Sequence, residues 1–182
     1  SELISSGAKV TLVYGPGSEK PPKGAKIIKI STSNEIFNVI KKEMRKKFDI
    51  VIMAAAISDY IPEKPSKNKI KSSKNKIKIS LKKSPKVINF IKKYQKNVFL
   101  VGFKAEVNIS KNELIVLAKK KMNESNADMI VANDIGSSSY KKNPESNEVL
   151  IIDSDKVISS GWMKKEKIAK FIKKEIERRL KI

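Results

Sequence analysis

An apolar segment that ends abruptly in polar residues constrains this fold more than any other part of the sequence. Residues 49–56 are apolar at nearly every position, as in a strand with helices on both faces. Ser58, Asp59 and Tyr60 follow, and a lysine-rich stretch comes directly after them. Ligands of an open parallel sheet collect where strands end and loops begin. We therefore predict a ligand site here, and one acid beside many lysines indicates a ligand that carries phosphates.

Similar strands alternate with helices along the chain, which predicts an α/β fold: a Rossmann-like, mainly parallel sheet with helices on both faces. Two helices should begin at capping boxes that start at Thr32 and Ser110, and a third at Ser84-Pro85, with serine as the cap. Strands are predicted at 9–15, 26–30, 49–56, 98–105 and 128–132, a turn at 133–134, a polar loop at 136–147, a hairpin at 148–153 and 156–159, and a C-terminal helix from Lys164.

Residues 61–83 differ from the rest, with nine lysines and one acid. Their second half, residues 76–81, alternates Ile or Leu with polar residues, which predicts an exposed strand. We interpret the segment as a hairpin, or flap, outside the main sheet. Lys69 and Lys71 could belong to a mobile cationic loop that closes on a triphosphate, or to an ordinary solvated lysine tract.

The composition excludes several kinds of chemistry. The 182 residues include no cysteine and no histidine, so disulfides, thiolate zinc sites and histidine bases are ruled out. Catalysis must rest on Lys, Asp, Glu, Tyr, Ser, backbone amides or a borrowed ion. No apolar run approaches 18 residues, so we expect no membrane span and a cytoplasmic protein.

A formal net charge of +21 raises the question of nucleic acid. Only three of the 40 basic residues are arginines, however, and aromatic residues make up 6%. Base-edge recognition favours arginine, and single-strand binding favours aromatic platforms. A basic α/β module that binds nucleic acid therefore stays open as an alternative, as does a generic nucleotide-binding domain, although no G-x-G-x-x-G or P-loop sequence is present.

Further candidates for the site follow later strands. The predicted helix start at residues 84–88 would present free backbone N–H groups to an anion. Gly102 would permit close approach of a ligand, and Phe103 could stack on a base or pack in the core. Asp59 could accept hydrogen bonds from a sugar or base, help to hold a cation, or simply cap a turn.

Seven segments in this order resemble the phosphopantothenate–cysteine ligase (phosphopantothenoylcysteine synthetase) domain of the bacterial and archaeal bifunctional protein of coenzyme A biosynthesis. They extend over nearly the whole chain, which makes the resemblance specific although no single motif would be. The segments are GAKVTLVYGP (7–16), AAAISDY (54–60), NKIK (68–71), KKSPKVI (82–88), VGFKAE (101–106), ADMIVAND (127–134) and SNEV (146–149).

The resemblance implies a reaction in two steps. The carboxylate of 4′-phosphopantothenate is activated by CTP with Mg²⁺ as an acyl-cytidylate, and the amine of cysteine then displaces CMP. Lys69 would be the catalytic flap lysine, and no protein side chain is expected as a metal ligand. The nucleotide-binding residues would be Ala54, Ala55, Asp59, Lys69, Pro85, Lys86, Val87, Ile88, Phe103 and Lys121.

The resemblance also implies a homodimer, possible fusion to or association with a flavin-dependent decarboxylase domain, and no nucleic-acid partner. Residues 1–182 would form a single nucleotide-dependent ligase domain that lacks the family's N-terminal strand and phosphate-binding loop. A second departure is Ser125, where the family usually has a lysine; Lys119 or Lys120 could replace its contacts.

Overall fold

The computed structural model describes residues 1–64, 68 and 76–182. The helices are α1 (Glu2–Ser5), α2 (Ser33–Glu43), α3 (Ile88–Tyr94), α4 (Lys111–Ser125), α5 (Ser138–Lys142) and α6 (Lys165–Leu180). The strands are β1 (Thr11–Tyr14), β2 (Lys26–Lys29), β3 (Ile50–Met53), β4 (Tyr60–Pro62), β5 (Leu81–Lys83), β6 (Phe99–Glu106), β7 (Met129–Asp134), β8 (Ser146–Asn147), β9 (Leu150–Ile152), β10 (Val157–Ser159) and β11 (Met163–Lys164).

A five-stranded sheet in the order β10-β9-β7-β6-β3 carries the fold. The strands β3, β6 and β7 are parallel, while β9 and β10 add an antiparallel edge. Helices cover both faces, so the predicted fold class is confirmed. Because side chains alternate along a strand, Leu100 and Ile130 enter the core formed with α2, α3 and α4, whereas Val101 and Met129 enter the core formed with α6.

A second parallel pair, β1 with β2, lies on the other side of β3. Within residues 1–64, 68 and 76–182, no backbone pairing joins β1 to β3. Between them runs a groove of about 720 Å³, which we call the strand groove. Its walls include residues 11–19 and 50–57, which are β1, β3 and the segments that follow them.

The predicted capping boxes start α2 and α4. The Thr32 hydroxyl accepts from the Glu35 amide, and the Ser110 hydroxyl accepts from the Glu113 amide. The Glu113 carboxylate accepts a hydrogen bond from the Ser110 amide, which completes the capping box of α4. The Glu35 carboxylate accepts instead from the amide of Ser31. Both helices therefore begin where their sequences predict.

The prediction that a helix starts at Ser84-Pro85 is wrong. The Ser84 amide donates to the carbonyl of Asp59 at 2.8 Å, which continues the β4–β5 hairpin and holds this backbone extended. The first turn-forming amide is that of Asn89, bonded to the Lys86 carbonyl, and α3 begins at Ile88 without a side-chain cap. Pairing with the hairpin therefore overrides the local capping signal.

The hairpin outside the main sheet is confirmed, but its second strand lies at Leu81–Lys83 rather than at 76–81. Pairing of Tyr60 with Lys83 sets this register. Residues 133–134 do not form the predicted turn, because β7 pairs with β6 as far as Asp134. The predicted loop 136–147 contains α5 and β8. In the described part of the chain, no helix is long and apolar enough to cross a membrane.

Candidate functional site

A cleft of about 300 Å³ opens where β3 ends, and we call it the lysine cleft. Its walls come from the β3–β4 connection, the start of α3, β6 and α4, so four separate parts of the chain converge here. The polar side chains that line it are Ser58, Asp59, Ser84, Lys86, Asn89, Lys104, Lys120, Lys121 and Glu124. The cleft occupies the position predicted from the abrupt end of the apolar strand.

Lys121 is a partly buried cation of the cleft. Burial lowers its pKa from the ordinary value, and repulsion from Lys104 and Lys86 lowers it further. Asp59 and Glu124 act in the opposite direction. Among the described residues, Lys121 forms no ion pair with a carboxylate, so its positive charge is only partly compensated.

Two neighbouring lysines do have carboxylate partners. The ammonium of Lys86 lies 3.8 Å from a carboxylate oxygen of Glu124, and both side chains are about half exposed. That of Lys104 lies 2.5 Å from Glu106, and both of these side chains are more buried. The cleft therefore brings together four cations: two from α4, one from β6 and one from the segment before α3.

Asp59 lies in the connection between β3 and β4. Its backbone carbonyl accepts the Ser84 amide, which ties the connection to the residues before α3. Its side chain is exposed and lines the cleft with Lys121. Both interpretations of Asp59, as a cap of the turn and as a group that binds a ligand, therefore remain predictions.

The residues predicted as a helix start form one wall of the cleft. Pro85, Lys86, Val87 and Ile88 all line it, and Val87 and Ile88 are also buried in the core. This packing fixes the backbone of the wall. Because α3 begins later than predicted, an anion here would meet the turn before the helix rather than a serine-capped helix end.

Ala54 and Ala55 follow β3 directly. Ala55 lines both the lysine cleft and the strand groove, whereas Ala54 lines the strand groove alone. Met53 and Ile57 are also shared by the two cavities. The cleft and the groove therefore meet at Ala55, where a small side chain leaves the backbone accessible.

Phe103 does not line the lysine cleft. Its side chain packs on the opposite face of the sheet, against the core formed with α6. The close approach at Gly102 also has a packing cause, since a Cβ there would come within 2.7 Å of Ile130 Cδ1 and 2.9 Å of Ile88 Cδ1. Both positions therefore serve the core in this structure, and base stacking by Phe103 stays a prediction.

Lys69, the predicted catalytic lysine, and Lys71 lie outside the described residues. The structure adds three polar residues that the sequence did not indicate: Lys104, Asn89 and Glu124. The alternation of β6 could have indicated Lys104, because Leu100 and Gly102 face α3 and Lys104 continues their side of the strand. The sequence indicates Lys120 only as a residue that could replace the contacts of the family's lysine at position 125.

Ser125 itself is buried in α4 and is not among the residues that line the cleft. It is 1% exposed, and its hydroxyl donates to the carbonyl of Lys121 at 2.7 Å. Of the two lysines predicted to replace it, Lys120 lines the cleft and Lys119 does not. Within the described ranges, no group of three or more acidic side chains is arranged to hold a metal ion.

Comparison with protein families gives one matching description. Residues 1–180 match the DFP family, the DNA/pantothenate metabolism flavoprotein C-terminal domain. The match covers almost the whole chain, including every element that forms the lysine cleft.

Curated proteins and solved structures agree with that match. The chain is 35% identical over 175 residues to a Coenzyme A biosynthesis bifunctional protein CoaBC of Thermococcus kodakarensis, covering 96% of this chain and 42% of the relative. It is 38% identical to the protein of the same name from Borreliella burgdorferi, covering 95% of this chain and 43% of the relative. The chain therefore spans about two-fifths of the length of these relatives.

A solved structure supports the fold and the family together. The crystal structure of the C-terminal domain of a Coenzyme A biosynthesis bifunctional protein CoaBC superposes with a TM-score of 0.78 at 26% identity. The superposition covers 99% of this chain and 79% of that domain.

Proposed function

The chain belongs to the family of DNA/pantothenate metabolism flavoprotein C-terminal domains, and we propose that it is a phosphopantothenate–cysteine ligase of coenzyme A biosynthesis. It joins 4′-phosphopantothenate to L-cysteine through an acyl-cytidylate formed from CTP. The observation that carries this proposal is the lysine cleft, where Lys86, Lys104 and Lys121 converge beside Asp59 at the end of a parallel strand. Partly compensated cations in such a cleft suit a polyphosphate ligand.

The first step needs charge neutralisation more than a base. A carboxylate oxygen of phosphopantothenate attacks the α-phosphorus of CTP, and the bond to the β-phosphate breaks to release pyrophosphate. The carboxylate is already a nucleophile at neutral pH, so a chain without histidine can catalyse the step by positioning and by cations near the phosphates. Lys121 is suited to this role because a bound phosphate would compensate its charge.

The second step joins the cysteine amine to the activated acyl carbon and expels CMP. Ala55 lies where the lysine cleft meets the strand groove, so a carboxylate in the groove could meet a nucleotide in the cleft there. We propose that Asp59 binds the nucleotide, that the backbone of Pro85 and Val87 contacts it, and that Lys69 closes over the phosphates.

Magnesium fits this site as a companion of the nucleotide. Mg²⁺ is usually held by one or two carboxylates together with substrate phosphates. Asp59 and Glu124 supply carboxylates to the lysine cleft, whereas the described residues offer no all-protein metal cluster. The ion would offset part of the phosphate charge, and the lysines of the cleft would offset the remaining negative charge.

We also propose that a further strand, followed by a phosphate-binding turn, completes the sheet in the strand groove. The groove separates two parallel strand pairs whose facing edges, β1 and β3, have no partner in the described residues. Unpaired strand edges favour the addition of a strand. A strand here would end near Ala55, beside the lysine cleft.

The proposed assembly is a cytoplasmic homodimer, fused to or associated with a flavin-dependent decarboxylase domain. Support for a dimer comes from the exposed apolar side chains of the hairpin: Tyr60, Ile77, Ile79 and Leu81 are each about half exposed. The nucleic-acid alternative is not favoured, because the family match and the relatives' names concern coenzyme A biosynthesis.

A two-part experiment tests the ligase. The natural full-length protein is assayed for pyrophosphate and for the cysteine adduct, with Mg²⁺ and CTP, ATP, GTP or UTP. We expect turnover with CTP, and a Lys69→Gln variant that folds normally but forms no acyl-cytidylate. Absence of turnover with every nucleotide would refute the ligase, and unchanged turnover in the variant would refute the role of Lys69 alone.

A further inference from the structure

We propose that Lys104 is a second phosphate-binding cation of the lysine cleft. While the cleft is empty, Lys104 forms an ion pair with Glu106 that a phosphate replaces on binding, and we call this the reserve role of Glu106. The inference rests on the proposed nucleotide-dependent function and names a residue that the sequence reasoning did not select.

The first argument is position. The strand β3 ends at Met53, paired with Gly102, while β6 continues for four residues to Glu106. Lys104 therefore lies on the part of β6 that extends beyond its neighbour, where the sheet edge opens into the cleft. Gly102 packs against Ile88, and Lys104 follows it on the same side of the strand, so its side chain is directed to the wall that contains Pro85 and Lys86.

The second argument is charge. Burial lowers the pKa of Lys121, and repulsion from Lys104, which is larger than that from Lys86, lowers it further. Two like charges held together in a half-buried site destabilise the empty protein. A polyanion that lies between them removes the repulsion, so both lysines should bind the same ligand.

The third argument is the partner of Lys104. Glu106 lies two residues further along the same strand, on the same side, and its carboxylate is 2.5 Å from the ammonium. The two side chains are 28% and 30% exposed, so the pair is accessible to water and to ligands. A long lysine side chain can rotate from Glu106 towards a phosphate without any backbone movement, and a triphosphate offers more negative charge than one carboxylate.

The test compares three variants of the natural full-length protein by calorimetric titration with CTP, CDP and CMP in the presence of Mg²⁺. Lys104→Gln should bind CTP about ten- to a hundredfold more weakly, as expected for loss of a charged hydrogen bond. Its loss of affinity for CMP should be smaller. Lys119→Gln removes the same charge from α4 outside the cleft, and should leave all three affinities unchanged.

Glu106→Gln separates the reserve role from a purely structural one. Removing the competing carboxylate should tighten CTP binding, whereas a structural ion pair would make both variants less stable without changing affinity. Unliganded Lys104→Gln should unfold at or slightly above the wild-type temperature, because relief of the repulsion on Lys121 offsets the loss of a partly exposed ion pair.

The outcomes distinguish the two levels of the argument. Wild-type binding of CTP together with equal binding by Lys104→Gln would overturn the role of Lys104 and leave the ligase intact. Weaker CTP binding by Glu106→Gln would overturn the reserve role. Failure of the wild type to bind any of the three nucleotides would overturn the proposed function, and the Lys104 proposal with it.

Discussion

Two charged regions of this protein show opposite ways of arranging the same side chains. At one end of the main sheet, Arg179 lies between Asp153 and Glu175, and all three are largely buried. In the lysine cleft, Lys121 is half-buried and is repelled by Lys104 and Lys86. The charges of the first region are compensated within the protein, whereas those of the second are compensated only in part.

The detail of the compensated region explains its role. The Arg179 guanidinium donates to Asp153 at 2.8 Å through Nε, and to Glu175 at 2.6 Å through Nη1. Asp153 also accepts from the amides of Asp155 and Lys156. Nearly every charge has a partner inside the chain, so this cluster anchors α6 to the β9–β10 hairpin. The comparison teaches that the missing carboxylate partner of Lys121, rather than the number of charges, makes the lysine cleft the candidate ligand site.

The largest expected effect comes from breaking the compensated cluster. Arg179→Met leaves the buried carboxylates of Asp153 and Glu175 without their main partner, and should lower the free energy of unfolding by about 3 to 5 kcal/mol. Urea unfolding measures the change. Arg178→Met, on the same helix but 45% exposed, is the matched control and should cost much less. Equal losses for the two variants would contradict the distinction.

The corresponding change in the cleft should affect binding instead of stability. Lys121→Gln removes a desolvated and repelled cation, so the unliganded protein should be at least as stable as the wild type. CTP affinity should fall about ten- to a hundredfold. Thermal unfolding with and without CTP and Mg²⁺ measures both quantities. A less stable variant with normal affinity would assign Lys121 to the scaffold.

The pH dependence of stability should have the same sign in the two regions but fall in different pH ranges, acidic for the carboxylates and alkaline for Lys121. Ion pairs and hydrogen bonds lower the pKa values of Glu175 and Asp153, despite burial, from ordinary values of 4.5 and 3.8. Their contribution is therefore complete above those values and is lost as pH falls through the lowered folded-state pKa values. Urea unfolding of wild type and Glu175→Gln should converge in acid.

Lys121 should affect stability in the alkaline range, because its charged form is disfavoured in the folded protein. Its pKa is lowered in the folded protein, so the folded state releases a proton before the unfolded state does. Stability should rise with pH between the lowered value and the ordinary value of 10.5, relative to Lys121→Gln. A flat difference between the two proteins across this range would contradict the burial and repulsion inferred for Lys121.

The smallest expected effect belongs to Lys86. Its pair with Glu124 is long and exposed, so Lys86→Gln should change the free energy of unfolding by less than about 0.5 kcal/mol. CTP affinity should fall only about two- to fivefold, because water screens the charge of an exposed lysine and weakens its attraction to a phosphate. Calorimetric titration measures the loss of CTP affinity, which should be smaller for Lys86→Gln than for Lys104→Gln and Lys121→Gln. A loss as large as theirs would refute this ranking.

Local signals predicted the elements whose causes lie within a few residues. The capping serine and threonine positioned α2 and α4, and the apolar spacing of Ile168, Ile172 and Ile176 positioned the buried face of α6. The family resemblance, predicted from ordered short segments over nearly the whole chain, was confirmed by the family match over residues 1–180. The abrupt end of β3 also predicted where the cleft lies.

Pairing between distant segments overrode local signals elsewhere. The hairpin held Ser84 extended and moved the start of α3 to Ile88, and β6 kept Asp134 in a strand where the sequence predicted a turn. The local residue pattern does not reveal these changes, because the strand that supplies the hydrogen bonds is distant in the sequence.

The sequence by itself determined the α/β alternation, the helix caps, the chemistry available without histidine or cysteine, and the strand end that carries the site. Only the tertiary structure decided which of many lysines converge, that Lys104 joins Lys121, and that Phe103 faces the other layer. The physical reason is that repulsion, burial and compensation depend on distances in space. Arg179 and Lys121 are both cations on helices, and only their neighbours make one an anchor and the other a candidate ligand group.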